Sequence, residues 1–101
     1  MHEPSVDFYR AMHFVQEQEG GIHFDPHDPG GMTAFGISRR HHPDWVGWAV
    51  LDEVSPSPLC GSRLMGMVHR FYYDTFWKEL KCDKFEYPVA LFLFDTAVHL
   101  G

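Results

Sequence analysis

The chain has 101 residues, a formal net charge of −6 at pH 7, 45% apolar residues and 16% aromatics. That length and composition fit one globular domain, residues 1–101, with a modest core, and exclude a disordered chain. The excess of acid, with no run of Lys or Arg, argues against nucleic acid as a partner, and it does not favour an anionic polymer such as a cell wall either.

The opening MHEPSVDFYR lacks the basic patch and apolar run of a secretory signal, so none is expected. Ser5 is a candidate N-cap for a helix over Val6 to Glu19. Val6, Tyr9, Met12 and Val15, with Phe8 and Ala11 beside them, form its apolar stripe, and Gly20 stops it. Gly21 to Ile37 then read as a polar, proline-rich loop with short extended pieces, so a small β-hairpin or ribbon is expected near residues 21–37. Ser38 is expected to cap a short helix through His42 that Pro43 ends. Trp45, Trp48, Val50 and Leu51 place a further short helix or turn within Asp44 to Val54.

Ser55-Pro56-Ser57-Pro58 is a loop signal, with Ser57 capping a long helix and Pro58 at its first position. This helix should reach Glu79 and bury Leu64, Met65, Val68, Phe71, Tyr72 and Phe76. Pro88 opens the last helix, which is apolar nearly all round from Val89 to Leu100, the pattern of a helix buried on every side. So short a chain has little left to cover it, so a further C-terminal half, a second chain or a dimer mate is expected over residues 88–101. No stretch reaches the roughly 18 apolar residues needed to span a bilayer. Cys60 and Cys82 are too few for a disulfide framework and are expected reduced in a cytoplasmic product. The fold class is therefore mainly α with one small β element.

The chemistry concentrates in EGGIHFDPHDPGGMTAFGI, Glu19 to Ile37. Glu19 stands at a helix C-terminus, Asp28 nine positions on, and Thr33 five beyond that. The negative end of the helix dipole and the nearby Glu17 disfavour the charged form of Glu19, as a general acid needs. Asp28, in a glycine-rich turn, has no such pressure and should stay ionised. Two carboxyl groups so separated are the basis of acid and base roles at a glycosidic bond. Thr33 is placed to hold a water for Asp28. Gly30 and Gly31 allow a ligand close to the backbone, and Phe35 beside them joins the candidate sugar-contacting residues. Each has a plainer reading: Glu19 as a surface acid, Asp28 as a turn former with Asp25 competing for its role, and Thr33 as a strand residue.

Tyr72, Tyr73 and Trp77 are candidates for stacking on a sugar, with core packing the commoner use of such rings. Asp95, inside the apolar last helix, calls for a hydrogen-bond partner and has a structural reading. The eight histidines include His23 and His27, but without a helix, a Cys pair or an HExxH pattern they do not make a zinc site. No GxSxG supports a serine hydrolase. No metal and no cofactor are expected.

The string EGG-x3-DP-x-DPGG-x-T-x-x-GI resembles the opening of the glycoside hydrolase family 108 muramidases, lysozyme-like enzymes common in phage endolysins. Its Glu, Asp and Thr also look like the triad of the phage-type lysozymes, in which the Asp-to-Thr gap is one residue longer. Downstream, FYYDTFWKELKCDKFEYPVALFLFDTAVHLG is similar to the family's second motif. It departs at His99, where the family has Asn, and at Phe76, where it has Tyr.

The resemblance covers about Phe8 to Gly101. It implies a lysozyme-like helical fold and cleavage of the β-1,4 bond between N-acetylmuramic acid and N-acetylglucosamine in peptidoglycan. Glu19 would be the acid, with Asp28 and Thr33 on the water side, and Cys82 a packing residue. Family members continue past this point into a second half that completes the helical lobe, so the resemblance implies the N-terminal catalytic part. It also implies a protein made in the cytoplasm that acts on the wall after release. The alternative is a non-catalytic or split lysozyme-like module serving a phage particle or secretion apparatus.

Overall fold

The computed structural model describes residues 4–19, 21–24, 27, 31–53 and 60–100, with the backbone alone at 19, 24 and 60–62. Its elements are α1 (Val6–Glu19), β1 (Ile22–Phe24), β2 (Met32–Ala34), β3 (Ile37–Ser38), α2 (Gly47–Leu51), α3 (Cys60–Tyr72), a π-helical turn (Tyr73–Trp77), a 3-10 turn (Cys82–Lys84) and α4 (Tyr87–Leu100). This is the mainly helical, lysozyme-like make-up expected from the sequence, with one small sheet. The expected stop at Gly20 and the loop and cap at residues 54–59 lie outside the described residues. No helix among the described residues is long and apolar enough to cross a membrane.

The chain forms two compact units, Met1–Gln18 with His69–Gly101, and Glu19–Val68. The first is organised around Phe8. Its ring meets Tyr73, Trp77 and Phe94 edge-on at centroid distances of 5.3, 5.6 and 5.7 Å, the geometry that the ring quadrupoles favour. Trp77 and Phe94 close the cluster at 5.4 Å. Phe8, Ala11, Met12 and Val15 are the buried face of α1. Val6 and Tyr9 are exposed, which corrects the expected stripe: the buried set follows the same helical spacing one step round the helix.

Ser5 caps α1 as expected, accepting from Phe8 N–H at 3.2 Å, and its hydroxyl also donates to Asp83 at 2.6 Å. The Arg10 guanidinium lies 3.8 Å from the Tyr87 ring centroid, a cation–π contact between α1 and α4.

The long helix does not continue as an α-helix to Glu79. At Tyr73 it widens to the π pattern, closed by Lys78 N–H donating to Tyr73 C=O at 2.8 Å. A widened turn shifts every later side chain round the axis. Tyr73 and Trp77 are thereby buried, while Phe76, expected on the buried face, is partly exposed, as are Met65 and Phe71.

In α4 only Ala90 and Phe94 are buried. Val89, Phe92 and Leu100 are 49%, 69% and 84% exposed, so the helix is not enclosed on every side among the described residues. The Asp95 carboxylate has a neighbour but not the hydrogen bond that its position calls for: His99 Nδ1 lies 3.2 Å from its Oδ1 and bonds instead to the Asp95 backbone oxygen at 2.8 Å. The shorter contact is the better hydrogen bond, and Oδ1 itself has no well-aligned donor.

His69, in contact with Gln16 at 3.3 Å and edge-on to Tyr9, is pushed below its usual range by burial. A histidine whose folded value lies below its unfolded one stabilises the fold fully above the unfolded value of about 6.5, and that contribution is lost as pH falls through it. Thermal midpoints measured from pH 8 to 5 should therefore fall at the acid end, and the fall should be smaller in His69→Gln.

In the second unit the sheet order is β1-β2-β3, antiparallel throughout. The expected hairpin thus carries a third strand. Phe35 and Gly36 connect β2 to β3 with φ of 52° and 85°, the two positive values that a tight hairpin turn requires. Glycine takes this conformation freely, but phenylalanine is strained there.

The expected helix after Ser38 is instead a turn. Arg39 N–H continues the sheet by donating to Met32 C=O at 3.0 Å, and only His42 N–H closes back on Ser38 C=O, at 2.9 Å. The Arg39 side chain then clamps Asp52 with two bonds, of 3.0 and 2.6 Å, and lies over Trp48. Their hydrogen bond raises Arg39 and holds the Asp52 carboxyl below its usual range.

Trp48 Nε1 donates to His42 C=O at 2.7 Å and its ring stands edge-on to Trp45. Gly47 lies so close to the Trp45 ring that an added Cβ would fall 2.2 Å from Cη2. Gly47→Ala should cost about 2 kcal/mol by overpacking, seen as a drop of about 10 °C in thermal midpoint.

Candidate active site

Glu19 is the last residue of α1, as its sequence position required, and the last turn of that helix carries no basic residue. The negative end of the helix dipole is therefore not offset by a local cation. His13 Nε2 lies 3.1 Å from the neighbouring Glu17, both well exposed.

Strand β1 follows after Gly21, and pairing of Phe24 with Met32 makes residues 25–31 the connection to β2. Asp25, Asp28 and Gly30 lie on that connection, outside the described residues. Gly31 is half-buried at its end. Gly21 C=O accepts from Phe35 N–H at 2.9 Å, which ties the start of this stretch to the β2–β3 turn.

Thr33 is half-buried at the middle of the central strand, directly opposite His23 on one side and Ser38 on the other. Residues directly opposite in antiparallel strands share a face. His23, Thr33 and Ser38 therefore form one polar row across the sheet. The next row, Ile22, Ala34 and Ile37, points to the other face, where Ala34 and Ile37 are buried. This alternation holds Thr33 on the polar face. His23 and Ser38 are neighbours that the sequence reading did not place beside it. The signal was the polar residue inside each short apolar strand, IHF, MTA and IS.

Glu19, Gly31, Thr33 and Phe35 all fall within the second unit. Phe35 is half-buried on its strained turn. Tyr72 and Trp77 belong to the first unit and are each only 1% exposed. Their rings pack on Phe94, which favours the core use already set beside sugar stacking. Among the described residues no three His, Cys, Asp or Glu side chains gather as a metal site would require.

A helix ending in an acid, followed by a small sheet with a hydroxyl on its polar face, fits the lysozyme-like make-up expected from the sequence. The family model of Glycosyl hydrolase 108 matches residues 12–101, most of the chain. The chain belongs to that family, and with it to the glycoside hydrolases. No characterised protein and no solved structure shows significant similarity to it.

Proposed function

We propose that the chain is an N-acetylmuramidase of the endolysin type, cleaving the β-1,4 bond from N-acetylmuramic acid to N-acetylglucosamine in peptidoglycan glycan strands. The observation that carries this reading is the position of Glu19: the last residue of α1, within the matched region, leading directly into the sheet that bears Thr33. Glu19 protonates the leaving oxygen. Asp28, on the β1–β2 connection, activates the attacking water or steadies the positive charge on the sugar ring, and Thr33 holds that water. Gly30, Gly31 and Phe35 contact the sugar. Likeness to the phage-type lysozymes favours inversion, for which the two carboxyl groups stand about 6.5–9.5 Å apart. The enzyme works on the bacterial wall after release from the cell that makes it, in bacteriolysis by a phage.

The exposed apolar side chains of α4 support a second element of the reading: a further segment or chain covers Val89, Phe92 and Leu100. If that cover is required for catalysis, the chain acts as one part of a split lysozyme-like module.

The bond assignment is tested by digesting purified peptidoglycan, reducing the new ends with borohydride and identifying them. Muramitol is the expected product. Glucosaminitol would reassign the chain to the other glycosidic bond, and new amino termini without reducing ends would exclude glycosidase action.

A further inference from the structure

The chain has three lysines, at positions 78, 81 and 84, and all three line one shallow concavity of about 250 Å³ in the first unit. Tyr73, Trp77 and Cys82 complete its apolar lining. The lysines are exposed, and none makes an ion pair among the described residues. One carboxylate, Asp83, also borders the concavity, and it accepts the Ser5 hydroxyl at 2.6 Å. The local balance is therefore cationic on a chain whose formal net charge is −6.

Three features mark the place as built. The π-helical turn, a rare form frequent at functional sites, ends at Trp77 and turns Tyr73 and Trp77 into this region. Lys81 sits in the left-handed region with φ 54°, where glycine or asparagine would be less strained. The Trp77 indole N–H is buried without a hydrogen-bond partner among the described residues, a cost in a fold unless something else satisfies it. Cys82 supplies no nucleophile here: burial, and next Asp83, push its thiol up to about 11.

We propose that this concavity binds a carboxylate group borne by the peptidoglycan strand, on its peptide stems. The inference rests on the muramidase reading. Lysines offer movable point charges on apolar stems, not the rigid fork that grips phosphate in two bonds. Such a group suits a carboxylate carried on a mixed polar and apolar body. The site supplies what the overall charge lacks, a local attraction of an acidic enzyme to an acidic polymer.

The test is co-sedimentation with insoluble peptidoglycan sacculi stripped of phosphate polymers, in a Glu19→Gln background so that cleavage does not alter the target. Binding should weaken with added salt and fall about tenfold in the Lys78→Gln/Lys81→Gln/Lys84→Gln variant. It should fall equally when the sacculi carboxylates are chemically amidated. Lys81→Gly separates binding from folding. It removes charge and backbone strain together, so sedimentation should fall while the thermal midpoint holds or rises; a merely structural lysine would lower both.

Binding unchanged by the lysine substitutions, or insensitive to amidation, would overturn the site. Binding restored only when the phosphate polymers are left in place would overturn the carboxylate assignment. The hydrolase reading fails separately: a chain that binds through the lysines yet, with Glu19 intact, releases no reducing ends keeps the site and loses the activity.

Discussion

Phe8→Ala is expected to leave the protein largely unfolded near body temperature. Phe8 is fully buried and its ring touches Tyr9, Tyr73, Trp77 and Phe94, so truncation opens a void walled by four aromatic rings. Phe-to-Ala changes in such cores cost about 3–5 kcal/mol. Total stability of a domain this size is about 5–15 kcal/mol, so one substitution removes a large share of it. The thermal midpoint should drop by about 20 °C, and Phe8→Leu, which refills much of the volume, should recover most of the loss. A cost below about 1 kcal/mol would show that the first unit is not centred on this ring.

The helices were legible because their signals are local. Ser5 before an apolar periodicity placed α1 from Val6 to Glu19, and the cap hydrogen bond is present. The stripe was less legible: Phe8 and Tyr9 are adjacent aromatics, and periodicity alone does not choose which of them faces inward. The π-helical turn left no mark in the sequence, because the choice between hydrogen bonds four or five residues apart is made by how Tyr73 and Trp77 pack on Phe8. The Ser38 turn failed as a helix for a related reason. One turn of helix is costly to nucleate, and Arg39 N–H had a strand carbonyl within reach at Met32. The β2–β3 turn interrupts what reads as one extended piece from Met32 to Ile37, and Phe35, a residue that avoids positive φ, hid it.

In the candidate site, the order of Glu19, Asp28 and Thr33 in the sequence is what the proposed roles rest on. What it could not show was the polar row. His23 and Ser38 become neighbours of Thr33 only through strand register, a long-range property that a one-residue slip would reverse. The lysines were equally silent as a group. Their spacing of three reads as an ordinary helix face until the π turn and the left-handed Lys81 bring them round one concavity.

Glu19→Gln should abolish hydrolysis while leaving the fold intact. Gln keeps the size and polarity of the side chain but has no proton to give to the leaving oxygen. Positioned proton transfer contributes about 10²–10⁴-fold to rate, so the variant should lose at least that range. Position 19 ends α1, and Gln is as good a helix former as Glu, so the thermal midpoint should move little. Asp28→Asn should also cut the rate, acting on the water side, while Thr33→Ala should cost less, since a strand hydroxyl orients water without exchanging a proton with the sugar.

The measurement that bears most directly on the account is release of new reducing ends from purified peptidoglycan, wild type beside Glu19→Gln at equal folded concentration. Steady release with clearing of turbidity is expected from the wild type and neither from the variant. Equal release by both would contradict Glu19 as the acid, and release by neither would contradict a self-sufficient glycosidase in this chain.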